Sequence, residues 1–426
     1  MIQRVSGSTE QRWPTSASSV PLQNGQVVYG KVEKIGANGM AFVRIGGEMI
    51  EAELQTPLQA GQFYSFQVTK EEETILLKRL DAPSERSEAT IEQIAEQLVK
   101  KWRLSREMQS LLRFLLQKQV PFAKADIVQA EKWLLATPER DINLRALEMM
   151  YANRLPVTES VFFALKAVQH PESLATQLSD LQRALASIPK QQLSEAQQTL
   201  LGELERMNRL LVDDQQEQRL DQLPKTFAKH MKALIKALGL EYEANVAKDV
   251  QTARAMEGLK PLLLRAQQER SDETLTKQVD TLIHRLTGQQ LLSHEQGPIQ
   301  PLFIQLPFLF GNERTDVTIH WQTRKKQNGE IDPHYCRLLF YLQLPALKEI
   351  TVDVRIQNSI IHVSLFNDTP QLETIVSLMQ PMLKERLSAC GYTLSTVKVA
   401  TPPEQKQSDV LFLRVLNNYS GVDYRI

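Results

Sequence analysis

Twice along the chain the spacing of apolar residues changes period, and that most constrains the fold. From residue 25 to about 80 apolar residues alternate with polar ones. From 91 to 292 they recur at the helical spacing of 3.6, and from 299 the alternation returns. Neither a single sheet nor a single helix bundle has this pattern. It predicts a multidomain α+β protein with a small N-terminal β-barrel, an all-α helical middle and a C-terminal mixed α+β domain of a sheet plus one main helix. The 426 residues leave room for all three.

The expected boundaries follow composition. Residues 1–24 are rich in Ser, Thr, Gln and Pro and read as a disordered tail. Residues 25–80 read as a closed barrel of SH3 or OB type. Val27, Tyr29 and Val32 lie on its first strand, and Ala41, Val43 and Ile45 on the second. Asn38-Gly39 and Gly46-Gly47 are hairpin turns, and Phe63, Phe66 and Val68 come later. Residues 81–90, DAPSERSEAT, form a polar linker. The helical region, 91–293, opens with a stripe of Ile91, Ile94, Ala95, Leu98, Val99 and Trp102. Ser105 is the expected cap of a second helix bearing Met108, Leu111, Leu112, Leu115 and Leu116. Prolines at 138, 156, 171 and 189 are expected to restart helices.

In the C-terminal domain, 299–400, five strands are followed by a helix over 370–388 and a last strand, TLSTVKV. Leu372, Ile375, Val376, Met379, Leu383 and Leu387 are expected to face inward, and Gly391 to stop the helix. Residues 401–426 are a polar tail with an apolar patch, VLFLRVL.

Charge and motifs exclude more than they suggest. Fifty basic residues balance fifty acidic ones, and the barrel region is itself neutral, so a nucleic-acid partner is not expected. Tyr29, Phe42, Phe63, Tyr64 and Phe66 are aromatic, but most take alternating positions that a core would use. No run of about 18 apolar residues exists, so no membrane span is expected. Two cysteines, Cys336 and Cys390, suit a reduced compartment, and Cys390 reads as a buried small residue. Phosphate-loop, nucleophile-elbow and zinc-protease motifs are all missing, so the chain reads as a non-enzyme with no cofactor. His334 and Cys336 share a strand face but fall short of a zinc ligand set, so no metal site is expected. The segment from Pro224 to Leu240 is a basic amphipathic helix, read as a domain helix with a solvated lysine face.

One stretch carries a resemblance. Residues 336–399 hold Leu342, Leu344, Pro345 and Leu347, then Val352, Val354 and Ile356. A leucine-rich helix follows with Leu372, Ile375, Leu378, Leu383 and Leu387, then Gly391, Leu394, Val397 and Val399. This order resembles the C-terminal domain of flagellar hook-length control proteins. Segments 239–243, 259–264 and 284–292 resemble longer Gram-positive relatives of that family. The family turn has Leu-Gly after its proline, whereas here Leu347 precedes Lys348. The Pro-rich N-terminal half of the best-known members is replaced by a barrel and helices.

The resemblance implies a substrate-specificity switch of flagellar type III export. Its partner would be the cytoplasmic domain of the export-gate switch protein, with hook-assembly proteins as further candidates and no small-molecule substrate. Leu342, Leu344, Pro345, Leu347, Val352, Val354 and Ile356 would form the partner-binding face. The expected location is the cytoplasm, with passage through the export apparatus left open. Two alternatives stand beside it: a cytoplasmic scaffold or adaptor acting through the helical middle, and a single-stranded nucleic-acid binder acting through the barrel.

Overall fold

The computed structural model describes residues 22–36, 39–71, 74–80, 91–212, 223–243, 246, 258–269, 272–294, 299–310, 313–325 and 331–401. The architecture is multidomain α+β, with an N-terminal barrel, a helical middle and a C-terminal sheet plus helix. The chain divides into two compact units, 1–132 and 133–426.

In the first unit, β1 (Gln26–Ile35), β2 (Met40–Ile45), β3 (Glu48–Leu54), β4 (Phe63–Glu71) and β5 (Thr74–Arg79) close a barrel. The order is β2-β3-β5-β4-β1, with β1 also pairing β2. Closure through a parallel β3–β5 pair selects the OB arrangement over SH3. Val28, Val32, Ala41, Val43, Ile45, Ala52, Phe66, Val68 and Leu77 fill the interior. Gly46 and Gly47, with φ of 58° and 90°, make the two-residue turn that only glycine takes without strain. Leu22 is buried in this core, so the barrel reaches into the stretch read as a tail; residues 1–21 lie outside the described residues. The same is true of Asn38, the 81–90 linker and the 402–426 tail.

The remainder of the first unit is α1 (Ile91–Trp102), α2 (Met108–Gln117), β6 (Phe122–Ala123), which pairs with β1, and the start of α3 (Lys124–Leu135). Ser105 does not cap α2. The helix begins at Met108 after Glu107, whose backbone is already helical, and the Ser105 N–H donates to Glu131 Oε1 instead. Phe122 and Trp102 meet edge to face, with ring centroids 6.0 Å apart.

The second unit holds α4 (Arg140–Ala152), α5 (Glu159–Val168), α6 (Leu174–Ala186), α7 (Glu195–Val212), α8 (Leu223–Leu238), α9 (Leu259–Gln267) and α10 (Glu273–Leu292). The prolines sit earlier than expected. Pro156 and Pro171 precede the true caps, Thr158 and Ser173, whose hydroxyls accept from Val161 and Thr176 N–H groups. Pro224 and Pro261, which were not among the expected restarts, do lie in the first turns of α8 and α9. On α8, Leu234, Ala237 and Leu238 are buried while Lys229, Lys232 and Lys236 are exposed. The residue that lets α10 lie against α5 is Gly288. A Cβ there would fall 2.3 Å from the Ala164 carbonyl oxygen, so any other side chain would force the two helices apart.

A six-stranded sheet follows, in the order β12-β11-β10-β9-β8-β7. Its strands are β7 (Ile299–Phe310), β8 (Glu313–Lys325), β9 (Ile331–Leu344), β10 (Lys348–Gln357), β11 (Ile360–Phe366) and β12 (Thr393–Ala400). β7 to β11 form an antiparallel meander. The helix α11 (Leu372–Ala389) then crosses over, and β12 returns parallel to β11 at the edge. Asn358 and Ser359, both at positive φ, make the tight β10–β11 turn, and Gly391 stops α11 at φ 83°.

Two apolar clusters meet the sheet. One joins α6, α7, α8, α9 and α10 to Ile304, Leu306, Phe308 and Val317 of β7 and β8. The other gathers Ile361, Val363 and Leu394 with Leu387 of α11. Where α10, α6 and the sheet meet, Arg285 is fully enclosed. Its guanidinium donates to Gln305 Oε1, Gln177 Oε1, the Glu172 carbonyl and Asp316 Oδ2, at 2.7 to 3.0 Å. Asp316 also accepts the Leu174 and Ala175 N–H groups that open α6, so one carboxylate ties an ion pair to a helix N-terminus.

Candidate functional site

The β9–β10 hairpin carries all seven residues of the expected partner face. Leu344 pairs with Lys348, Leu342 with Ile350, and Val352, Val354 and Ile356 with Phe340, Leu338 and Cys336. Side chains alternate across a strand, so this register puts Leu342, Leu344, Val352, Val354 and Ile356 on one face. The sheet thus brings five of the seven together, while Pro345 and Leu347 lie in the turn that joins the strands. None of the seven is in the fully buried core. Pro345 is exposed and the other six are half-buried.

Their position explains this intermediate state. At one end of the sheet, β7 and β8 are covered by helices, and Leu342 packs against that cluster. At the other, Val352, Val354 and Ile356 pack beside the cluster that α11 covers. Between the two covers, the apolar face of β9 and β10 is only partly shielded.

The turn is held rigidly. Asn367, itself buried, donates through Nδ2 to the carbonyls of Leu347 and Glu349 at 2.7 and 2.9 Å. Lys348 takes φ 55°, a left-handed conformation, at the place where the resembled family has glycine. Sequence reading had no signal for the Asn367 clamp, whose partners are backbone carbonyls 18 and 20 residues away.

The opposite face of the sheet is polar. Asp353 is buried and accepts from Arg337 Nε and Nη2 at 2.9 and 2.8 Å, and from Arg355 Nη2 at 3.2 Å. Burial alone would raise its pKa, but the two guanidinium groups outweigh that and hold its carboxyl below the usual range. His320, on the same face, has its pKa pushed down to about 4 by burial and by the Arg337 charge.

Two expectations about α11 and its end are corrected. Of the six residues expected to face inward, only Leu372 is buried. Ile375 and Met379 are half exposed, Leu383 is also exposed, and Leu378 between them is 75% exposed. The helix is apolar on more sides than one stripe can bury, and that excess was visible in its sequence. Cys390 is exposed, not buried, because it caps the helix at the outer turn before Gly391. His334 and Cys336 do not converge on a common point. His334 Nδ1 meets Ser359 Oγ at 2.7 Å, and Cys336 Sγ lies 3.9 Å from the Pro333 carbonyl oxygen. Among the described residues no group of three or more His, Cys, Asp or Glu is placed to hold a metal. Nor, among them, is any helix long and apolar enough to cross a membrane.

The barrel also departs from expectation. Of its five aromatics only Phe66 is fully in the core. Phe42 and Phe63 are exposed, and Tyr29 is half-buried on the outer face. Tyr29 and Phe63 stack, with centroids 5.5 Å apart and planes 16° from parallel. Lys31 and Arg44 pair across β1 and β2 beside them, on the same outer face. Both reach Glu33, at 3.4 and 2.9 Å. The Arg44 hydrogen bond holds the Glu33 pKa below its ordinary value.

The comparisons agree with the barrel. The family model for a TP0910 S1-like domain matches residues 1–78, which is the barrel and the stretch before it, under a fifth of the chain. An uncharacterized protein of Bacillus subtilis (strain 168), YlqG, is 32% identical over 161 residues. That match takes in 37% of this chain and 28% of YlqG, so the chain spans well under a third of that relative. No solved structure matches.

Proposed function

We propose that the protein is a non-enzymatic binding protein whose C-terminal sheet docks the cytoplasmic domain of a flagellar-type export-gate switch protein. In this reading it acts as a substrate-specificity switch of type III export. The observation that carries the reading is the β9–β10 hairpin. Five aliphatic side chains of the resembled motif share one half-buried face, and the rigid Pro345–Leu347 turn ends it. An extended partner segment would lie across that face between the two packed ends and hydrogen-bond little, so aliphatic contact would supply the affinity.

Leu344→Asp tests the site. A carboxylate there would be desolvated by a bound partner but can reach water in the free protein. Affinity measured by titration calorimetry is expected to fall by about tenfold or more, on the order of 1.4 kcal/mol. The thermal midpoint should move little. A folded variant that binds as tightly as the unaltered chain would remove this face from the interface.

A second reading is favoured by the barrel. Stacked Tyr29 and Phe63, exposed Phe42 and the flanking Lys31 and Arg44 are the elements of a single-strand platform, and OB folds use such faces. The S1-like match is compatible with it. Glu33 neutralises part of the basic charge, which argues for weak binding. If the face stacks bases, Phe63→Ala should weaken binding of a single-stranded RNA by about 1–3 kcal/mol in fluorescence anisotropy at low salt. Equal binding by variant and unaltered chain would set this reading aside.

A further inference from the structure

One flank of α11 is polar along most of its length. Glu373, Ser377, Gln380 and Lys384 stand at i, i+4, i+7 and i+11, and all but the half-buried Gln380 are exposed. This stripe borders the side on which Leu372 is buried and Val376 and Leu387 are half-buried. Handedness fixes where the stripe points. β11, α11 and β12 form a parallel crossover, and Leu387 of α11 packs on the sheet face that Ile361 and Val363 share. Such crossovers are right-handed. Seen from the N-terminus of α11, the stripe lies clockwise of the buried side, and in a right-handed crossover that direction leads away from β11 and out over β12. β12 is the terminal strand of the sheet, and among the described residues it pairs only with β11. An unpaired strand edge and a polar helix flank therefore share one border of the sheet. The apolar flank with Ile375 and Met379 turns the other way, over β11.

We infer that this border is a two-fold interface with a second copy of the chain, β12 pairing antiparallel with its counterpart and α11 lying antiparallel beside the other α11. The stripe is complementary to itself. In an antiparallel pair centred between Leu378 and Met379, Glu373 faces Lys384 of the second copy and Ser377 faces its Gln380. The two-fold axis repeats both pairs. The Ser377 hydroxyl donates to the Glu373 carbonyl at 2.8 Å, so its oxygen is open to an incoming glutamine amide.

The spacing fits. α11 connects β11 to β12, so its axis lies over the space between them. Two copies joined at β12 put their helix axes two strand spacings apart, about 10 Å, which is the distance at which helices pack. The 18 residues of α11 and the eight of β12 run about 27 and about 26 Å. An axis through the middle of the stripe therefore meets β12 near Val397. Lys398 then faces Thr396 of the second copy, and the two Lys398 side chains do not oppose each other. This inference does not rest on the identity of any export partner.

Sedimentation velocity of the full chain over a range of concentrations tests it, and a monomer–dimer equilibrium is expected. Lys384→Glu sets two pairs of like charges against each other, and Glu373→Lys does the same. Each should weaken the dimer by about tenfold or more at low salt. The exchanged chain, Glu373→Lys/Lys384→Glu, restores both pairs and should dimerise within about threefold of the unaltered chain. Both positions are exposed, so the variants should keep the fold, which circular dichroism checks. A chain that stays monomeric up to about millimolar concentration would overturn the inference. Slow exchange of the β12 amides in that monomer would show the edge covered within one chain. A dimer that neither reversal weakens would overturn it too, because it would use another surface, and so would loss in both single variants without recovery in the exchanged chain.

Discussion

Replacing Asp316 by alanine should destabilise the second unit more than any other single change considered above, by about 3–5 kcal/mol. The expectation rests on what is left behind. Arg285 is 2% exposed, and Asp316 is its charged partner, at 2.8 Å. Without it the guanidinium stays enclosed with only neutral oxygens from Gln305, Gln177 and Glu172. The first N–H groups of α6 lose their acceptor in the same step. Removing both charges is a different matter. An Arg285→Met/Asp316→Leu pair leaves no unpaired charge and should recover part of the loss, the α6 N–H groups still lacking their acceptor. Urea unfolding of the three chains reads both effects. A cost under about 1 kcal/mol for Asp316→Ala would mean that water reaches this network.

His320 gives the second large effect, and it depends on pH. Its pKa lies near 4 in the fold against 6.5 when exposed, because burial and the Arg337 charge both oppose protonation. Above pH 6.5 the ring is neutral in folded and unfolded chains, and its contribution is constant. As pH falls below 6.5 the unfolded chain takes up a proton that the folded chain refuses, so stability falls until about pH 4. The lowering of about 2.5 pH units corresponds to about 3 kcal/mol over that window. A His320→Gln variant cannot titrate and should lack this part of the slope. Urea midpoints of the two chains at pH 7 and pH 4.5 should therefore converge or cross as pH falls. Parallel loss in both chains would place the acid sensitivity elsewhere.

Much of the fold was legible because it follows from periodicity. Alternating Ala41, Val43 and Ile45 put β2 in the barrel, and the Gly46-Gly47 turn set its hairpin with β3. The β9–β10 residues were picked out by the resemblance alone; that five of the seven share a side follows from the observed register. What periodicity could not supply was the number of layers. The reading of α11 assumed that every apolar side chain on it has a core to enter, yet the sheet beneath offers only β12 and its neighbours. The barrel aromatics were misplaced for a related reason. Phe42 and Phe63 lie out of phase with the inward residues of their own strands, and weighing Ala41, Val43 and Phe66 first would have put both outside. The Arg285–Asp316 pair and the Asn367 clamp join residues far apart in sequence, and no local pattern announces such partners.

The most direct measurement is a calorimetric titration of the full chain with the cytoplasmic domain of the export-gate switch protein from the same organism, at moderate salt. Docking on the β9–β10 face predicts saturable binding with a negative heat-capacity change, as aliphatic surface leaves water. It also predicts weaker binding by the folded Leu344→Asp chain. Absence of any heat of binding up to millimolar concentrations would contradict the export-switch account.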